Sequence, residues 1–149
     1  MKVSLILILA IVLLTANAKR GDPPLQRGSQ LIDWVEGTMK GTFIIMFFDQ
    51  DASSKKTSEV RQEIKSRILD KYPNFHYYEV DVTDQDFDEL VKQFEIDEED
   101  LKHSPTVLVA SDAKGFWAHG KGAVAEVAYK LPVYSSDLRV PDHPTQTRN

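Results

Sequence analysis

The sequence predicts an α/β domain in which a mixed parallel and antiparallel sheet is sandwiched between helices. Three observations carry that expectation. A continuous apolar run, Thr42–Phe48 (TFIIMFF), has the length of a strand and no polar face, as a strand buried on both sides requires. It is followed by a long helical pattern and then by a second strand-like segment, and a strand–helix–strand order demands a right-handed crossover and a parallel pair. Near the end, Ser111-Asp112-Ala113-Lys114-Gly115 forms a turn between two strand-like segments, and so tight a turn demands an antiparallel pair.

Each element follows from local pattern. Ser29 stands where a helix cap would, with Leu31, Ile32, Val35 and Met39 on one face and Gly41 as the stop. After the strand Thr42–Phe48, residues 49–56 (DQDASSKK) make a polar turn. The helix beyond it places Val60, Ile64 and Ile68 at four-residue spacing and ends at Tyr72-Pro73. Residues 75–82 alternate as a second strand. Thr83 or Asp84 caps a helix with Phe87, Leu90, Val91 and Phe94 as its stripe. An acidic insert, residues 97–100, leads through Ser104-Pro105 to a third strand over residues 106–110. A fourth strand over residues 116–119 is broken by Gly120 and Gly122, and Val124, Val127, Ala128 and Leu131 line a last helix.

The flanks are a different material. Lys2, the apolar run from Val3 to Leu14 and the small residues Ala16 and Ala18 spell a secretory signal peptide over residues 1–18, cleaved after Ala18. Retained instead, residues 3–18 would be an N-terminal anchor, although their helix of about 24 Å falls short of a hydrocarbon core about 30 Å thick. Residues 19–28, with Pro23 and Pro24, read as a linker, residues 29–131 as the domain, and residues 132–149 as a flexible tail.

Composition sets limits on chemistry. The hydrophobic share of 42% and charged share of 28% suit a globular chain able to build a core. There is no cysteine among the 149 residues, which excludes disulfides, thiolate metal sites and thiol nucleophiles. The net charge of −5, with no basic cluster, would repel a phosphate backbone, so nucleic acid is not expected as a partner.

The element order over residues 29–131 resembles the thioredoxin superfamily. Three features carry the resemblance: the apolar strand running into a turn and long helix, the segment VKQFEI ahead of SPTVLV, and the hairpin followed by glycines and a helix. The resemblance implies a thioredoxin-like fold, a cis peptide before Pro105, and Ala52, Ser53, Ser54 and Lys55 at the positions of the family's Cys-x-x-Cys motif. It also implies that Met46 stands where redox members carry a buried aspartate. A hydroxyl has neither the low pKa nor the sulfur chemistry of a thiolate, so this turn cannot exchange disulfides. The sequence looks similar to the cysteine-free, non-catalytic disulfide-isomerase-related proteins of the endoplasmic-reticulum lumen.

Other constellations have plainer readings. Ser53 and Ser54 beside Lys55 and Lys56 would form a nucleophile pair only with a buried, deprotonated lysine, and a solvated turn is the preferred reading. His76, His103, His119 and His143 have no metal-ligand spacing, so no metal is expected of them. Asp97, Glu98, Glu99 and Asp100 are weak calcium candidates without EF-hand spacing, and helix capping is preferred. Ser104, Thr106 and Trp117 are the expected binding surface, Trp117 because it alternates with Phe116 and one of the two must face outward.

The expected function is a non-enzymatic protein-binding, scaffolding or chaperone-like module of the secretory pathway, lumenal or extracellular, with a protein partner and no cofactor. The alternatives are a glutathione-dependent transferase-like enzyme, a low-affinity calcium-binding module, and an accessory subunit of a membrane-associated complex. The membrane enters only if the N-terminal segment is uncleaved.

Overall fold

The computed structural model describes residues 22–111 and 114–134. Residues 1–18, read as a signal peptide, and most of the expected tail lie outside them. Helix α1 (Gly28–Asp33) continues as a wider turn over Trp34–Thr38. It is followed by β1 (Thr42–Phe48), by α2 (Ser54–Ile64) with a wider turn over Lys65–Leu69, and by β2 (His76–Asp81). A 3-10 turn (Gln85–Phe87) leads into α3 (Asp88–Gln93), and the short α4 (Glu98–Leu101) precedes β3 (Thr106–Ser111) and β4 (Lys114–His119). The last helix, α5, spans Ala123–Tyr134.

The sheet order is β2-β1-β3-β4. β1 runs parallel to β2, with Phe43 opposite His76 and Phe48 opposite Asp81, and antiparallel to β3, with Phe47 opposite Thr106. β3 and β4 pair antiparallel, from Thr106 opposite His119 to Ser111 opposite Lys114. Because β1 is central, its alternate side chains fill two cores, which accounts for its unbroken apolar run. Ile44, Met46 and Phe48 pack with Val60, Ile64, Val124, Val127 and Leu131 of α2 and α5. Phe43, Ile45 and Phe47 pack with Leu31, Ile32, Leu90 and Val91 of α1 and α3.

The structure corrects the sequence-based bounds in several places. The segment before α1 is tied down over its described part. The Asp22 carboxylate lies 3.0 Å from Nδ1 of His76, the Tyr78 hydroxyl donates to the Pro23 carbonyl at 3.3 Å, and Leu25 packs against the core. Local composition marks a proline-rich stretch as a loop but says nothing of a hydrogen-bond partner on β2. Arg27, not Ser29, occupies the cap of α1, and the Gln30 side chain accepts from the Arg27 amide at 3.1 Å. The last helix passes Leu131 and contains Pro132. That proline is exposed and lies in the final turn, where few backbone bonds remain to be broken.

Candidate functional site

Beyond the ends of β1 and β4, three segments meet: the turn after β1, the Ser104-Pro105-Thr106 entry to β3, and the His119–Gly122 exit from β4. The turn is closed on itself. The Asp49 carboxylate accepts from the amides of Asp51 and Ala52 at 2.9 and 2.8 Å. The Asp49 carbonyl accepts from the Ser53 amide at 3.1 Å and the Ser53 hydroxyl at 3.0 Å, and the Thr57 hydroxyl donates to the Ser53 carbonyl at 3.0 Å. Ser53 is thus a buried residue at the cap of α2, its proton directed at a backbone carbonyl, while Ala52, Ser54 and Lys55 are exposed. Lys56 pairs with Glu59 at 3.1 Å. This arrangement activates no hydroxyl as a nucleophile. Met46 lies fully buried within the α2/α5 core, an apolar side chain with no proton to move.

The peptide before Pro105 departs from expectation. The described residues contain no cis peptide bond, so Ser104–Pro105 is trans. The amides of His103 and Ser104 both donate to the Asp100 carbonyl, at 3.2 and 3.3 Å, and the chain passes from this turn into β3. The intrinsic trans preference of about 0.5–1 kcal/mol is met without a reversal there. Ser104 is 8% exposed. It lines a cleft of about 60 Å³ with Lys56, Glu63, Gly120, Lys121 and Gly122.

On the opposite face of the sheet, the Thr106 hydroxyl and Nδ1 of His119 lie 2.7 Å apart across β3 and β4. Trp117, 41% exposed, rests on Phe47 (centroids 5.6 Å apart) and meets Phe94 edge-on at 6.2 Å. Phe116 faces the other core, where Lys130 sits 5.3 Å from its ring centroid. Alternation in the sequence shows that one of the two aromatics faces outward. Only the register shows which, and that Phe47 and Phe94 back it with a rigid apolar floor. Trp117 and Ser104 are therefore near one end of the sheet but on different faces.

The remaining candidates have structural roles. Asp97 caps α4 by accepting from the Glu99 amide at 2.9 Å, and Glu98, Glu99 and Asp100 form the first turn of that helix. Lys102 meets Glu99 at 2.6 Å. Among the described residues no group of three His, Asp or Glu side chains is placed to hold a metal ion. His76 joins Asp22 and, through Nε2, the Lys40 carbonyl at 2.9 Å, whereas His103 is exposed and His143 lies outside the described residues.

A half-buried brace on the α2 side is not visible in the sequence. Arg61 grips Glu79 with two bonds of 2.7 Å, and the Tyr77 hydroxyl donates to the same carboxylate at 2.8 Å. Burial, with the charge and hydrogen bond of Glu79 behind it, pushes the Tyr77 hydroxyl far above its ordinary range. Burial and then the Asp22 charge push Tyr78 up to about 12.

No protein-family model matches the chain, and no curated protein sequence does. Solved structures do. The reduced thioredoxin pre-protein of Schistosoma mansoni is 17% identical, with a TM-score of 0.53 over 74% of this chain and 94% of that one. A chain from a structure of thiol resolution in yeast mitochondrial 1-Cys peroxiredoxin is 13% identical, with a TM-score of 0.53 over 73% and 92%. Plasmodium falciparum thioredoxin is 14% identical, with a TM-score of 0.52 over 71% and 95%. At these identities the likeness establishes a shared fold.

Proposed function

We propose that this chain, a thioredoxin-like fold without cysteine, is a non-enzymatic module that binds protein segments, in the manner of a chaperone or scaffold, within the secretory pathway. The observation that supports the reading is a substitution of surfaces. The turn after β1 is a self-satisfied cap with no nucleophile, while Trp117 presents a half-exposed indole on a floor of Phe47 and Phe94 beside the polar Thr106–His119 pair. Indole on a rigid aromatic base buries a large apolar area at low entropic cost, the character of an interface anchor. The open edge of β4 beside it offers backbone groups to an extended chain. The leader-like pattern of residues 1–18 supports the secretory part of the reading.

Alkylated insulin B chain, an unfolded polypeptide that cannot exchange disulfides, tests the reading by calorimetric titration. Saturable binding is expected, and Trp117→Ala should weaken it about tenfold or more, the loss typical of a central aromatic anchor. Absence of binding, or equal affinity in the variant, would contradict it.

A further inference from the structure

We infer that the Trp117 face of β4 receives an extended, basic segment of a protein partner, with an apolar side chain on the indole and lysine or arginine beside it. The role of Trp117 as the anchor rests on the binding reading above. β4 is the outer strand in the order β2-β1-β3-β4, and no described strand pairs with its far side. A strand added there would set every second side chain on the face that Trp117 and His119 share. Trp117 and the partly buried Phe94 and Ile96 supply the apolar ground.

The sign of the partner's charge follows from what surrounds that ground. From Phe94 to His103 the acids are Glu95, Asp97, Glu98, Glu99 and Asp100, and Lys102 is the one base. The chain brings them to the His119 end of β4, because it passes from α4 through Ser104-Pro105 into Thr106, which pairs with His119. Asp97 is committed to the α4 cap and Glu99 to Lys102. Glu95, Glu98 and Asp100 are exposed and have no ion pair among the described residues. Glu95 stands at φ 52°, a left-handed position that favours glycine, where the Ile96 amide closes α3 by donating to the Val91 carbonyl at 3.0 Å. The chain therefore carries a carboxylate next to Phe94 against the preference of its backbone. Two other occupants fit the charge less well. A second copy docked face to face would set the same acids against each other. Residues 135–149 hold Asp137 and Asp142 against Arg139 and Arg148, so the chain's own tail brings no net positive charge.

Two end-blocked peptides test the surface, one with phenylalanine and valine between lysines and one with glutamates in place of the lysines. The indole N–H resonance of Trp117, told from that of Trp34 by its loss in Trp117→Phe, reads binding in the labelled protein together with the amides of β4. At about 0.01 M salt, where charges act over about 30 Å, the lysine peptide should shift these resonances saturably and bind about tenfold or more tighter than the glutamate peptide. At about 1 M salt the screening length falls to about 3 Å, and the two affinities should converge. Glu98→Gln combined with Asp100→Asn should narrow the low-salt difference about threefold or more, the scale of exposed ion pairs. Glu95→Gly should weaken the lysine peptide by a similar factor while raising the melting temperature, a combination that misfolding cannot produce. Equal affinities at low salt, a difference indifferent to salt and to these variants, or binding that leaves Trp117 and β4 unmoved would overturn the inference. So would self-association at low salt that Trp117→Ala abolishes, because a second copy would then hold the face. If the two peptides bind alike while the B chain binds through Trp117, the charge selection fails and the binding reading stands. If the lysine peptide binds through Trp117 and the B chain does not bind, the broader reading fails alone.

Discussion

Gly28 opens α1 against α3 at a distance only a glycine allows: a Cβ there would lie 2.6 Å from the Cβ of Leu90. Gly28→Ala should cost about 1–3 kcal/mol, the usual penalty of overpacking, measured by urea unfolding. Nothing local signals this, since its partner is on another helix. Tyr78 gives a second residue-scale test. Its hydroxyl, pushed up to about 12, is neutral in folded and unfolded chains below its ordinary value of 10.0. Above that value the unfolded chain ionises first, so stability is fully present below pH 10 and falls as pH rises toward the folded value. Absorbance at 295 nm should show this tyrosine ionising late, and Tyr78→Phe should flatten the alkaline loss of stability. An early, ordinary titration of every tyrosine would contradict the burial.

At the scale of elements, β1 was legible to the residue because both its faces are apolar, and the stripes of α2 and α3 were legible because their period is local. The anchoring of residues 22–25 was not, because Asp22 and His76 meet only after the sheet forms. The same holds for the brace between α2 and β2. The Glu79 side chain is 9% exposed, so Arg61→Ala would strand a nearly buried carboxylate. We expect a loss of about 3 kcal/mol, the cost of breaking a buried pair from one side. Tyr77→Phe should cost about 1 kcal/mol, since Arg61 continues to satisfy the acid. A double-mutant cycle that finds no coupling between Arg61 and Glu79 would deny the brace.

For the whole molecule, the order of strands and helices was legible because each is announced by period, turn residues and caps, and topology rules leave few ways to join them. The site was only half legible. The lack of thiols is plain from composition, alternation singles out Trp117, and the resemblance around Pro105 singles out Ser104 and Thr106. Their division between two faces, the floor of Phe47 and Phe94, and the trans peptide at Pro105 depend on register and packing. Under the proposed function, a thioredoxin-like fold without cysteine serves binding. Turbidity of insulin reduced by dithiothreitol tests it in one trace, because reduction hastens aggregation of the B chain and capture of that chain delays it. Expected are no acceleration at any concentration of the protein, and a delay that grows with its ratio to insulin and is lost in Trp117→Ala. Acceleration in proportion to the protein, or a trace that stays at the background rate at every ratio, would contradict it.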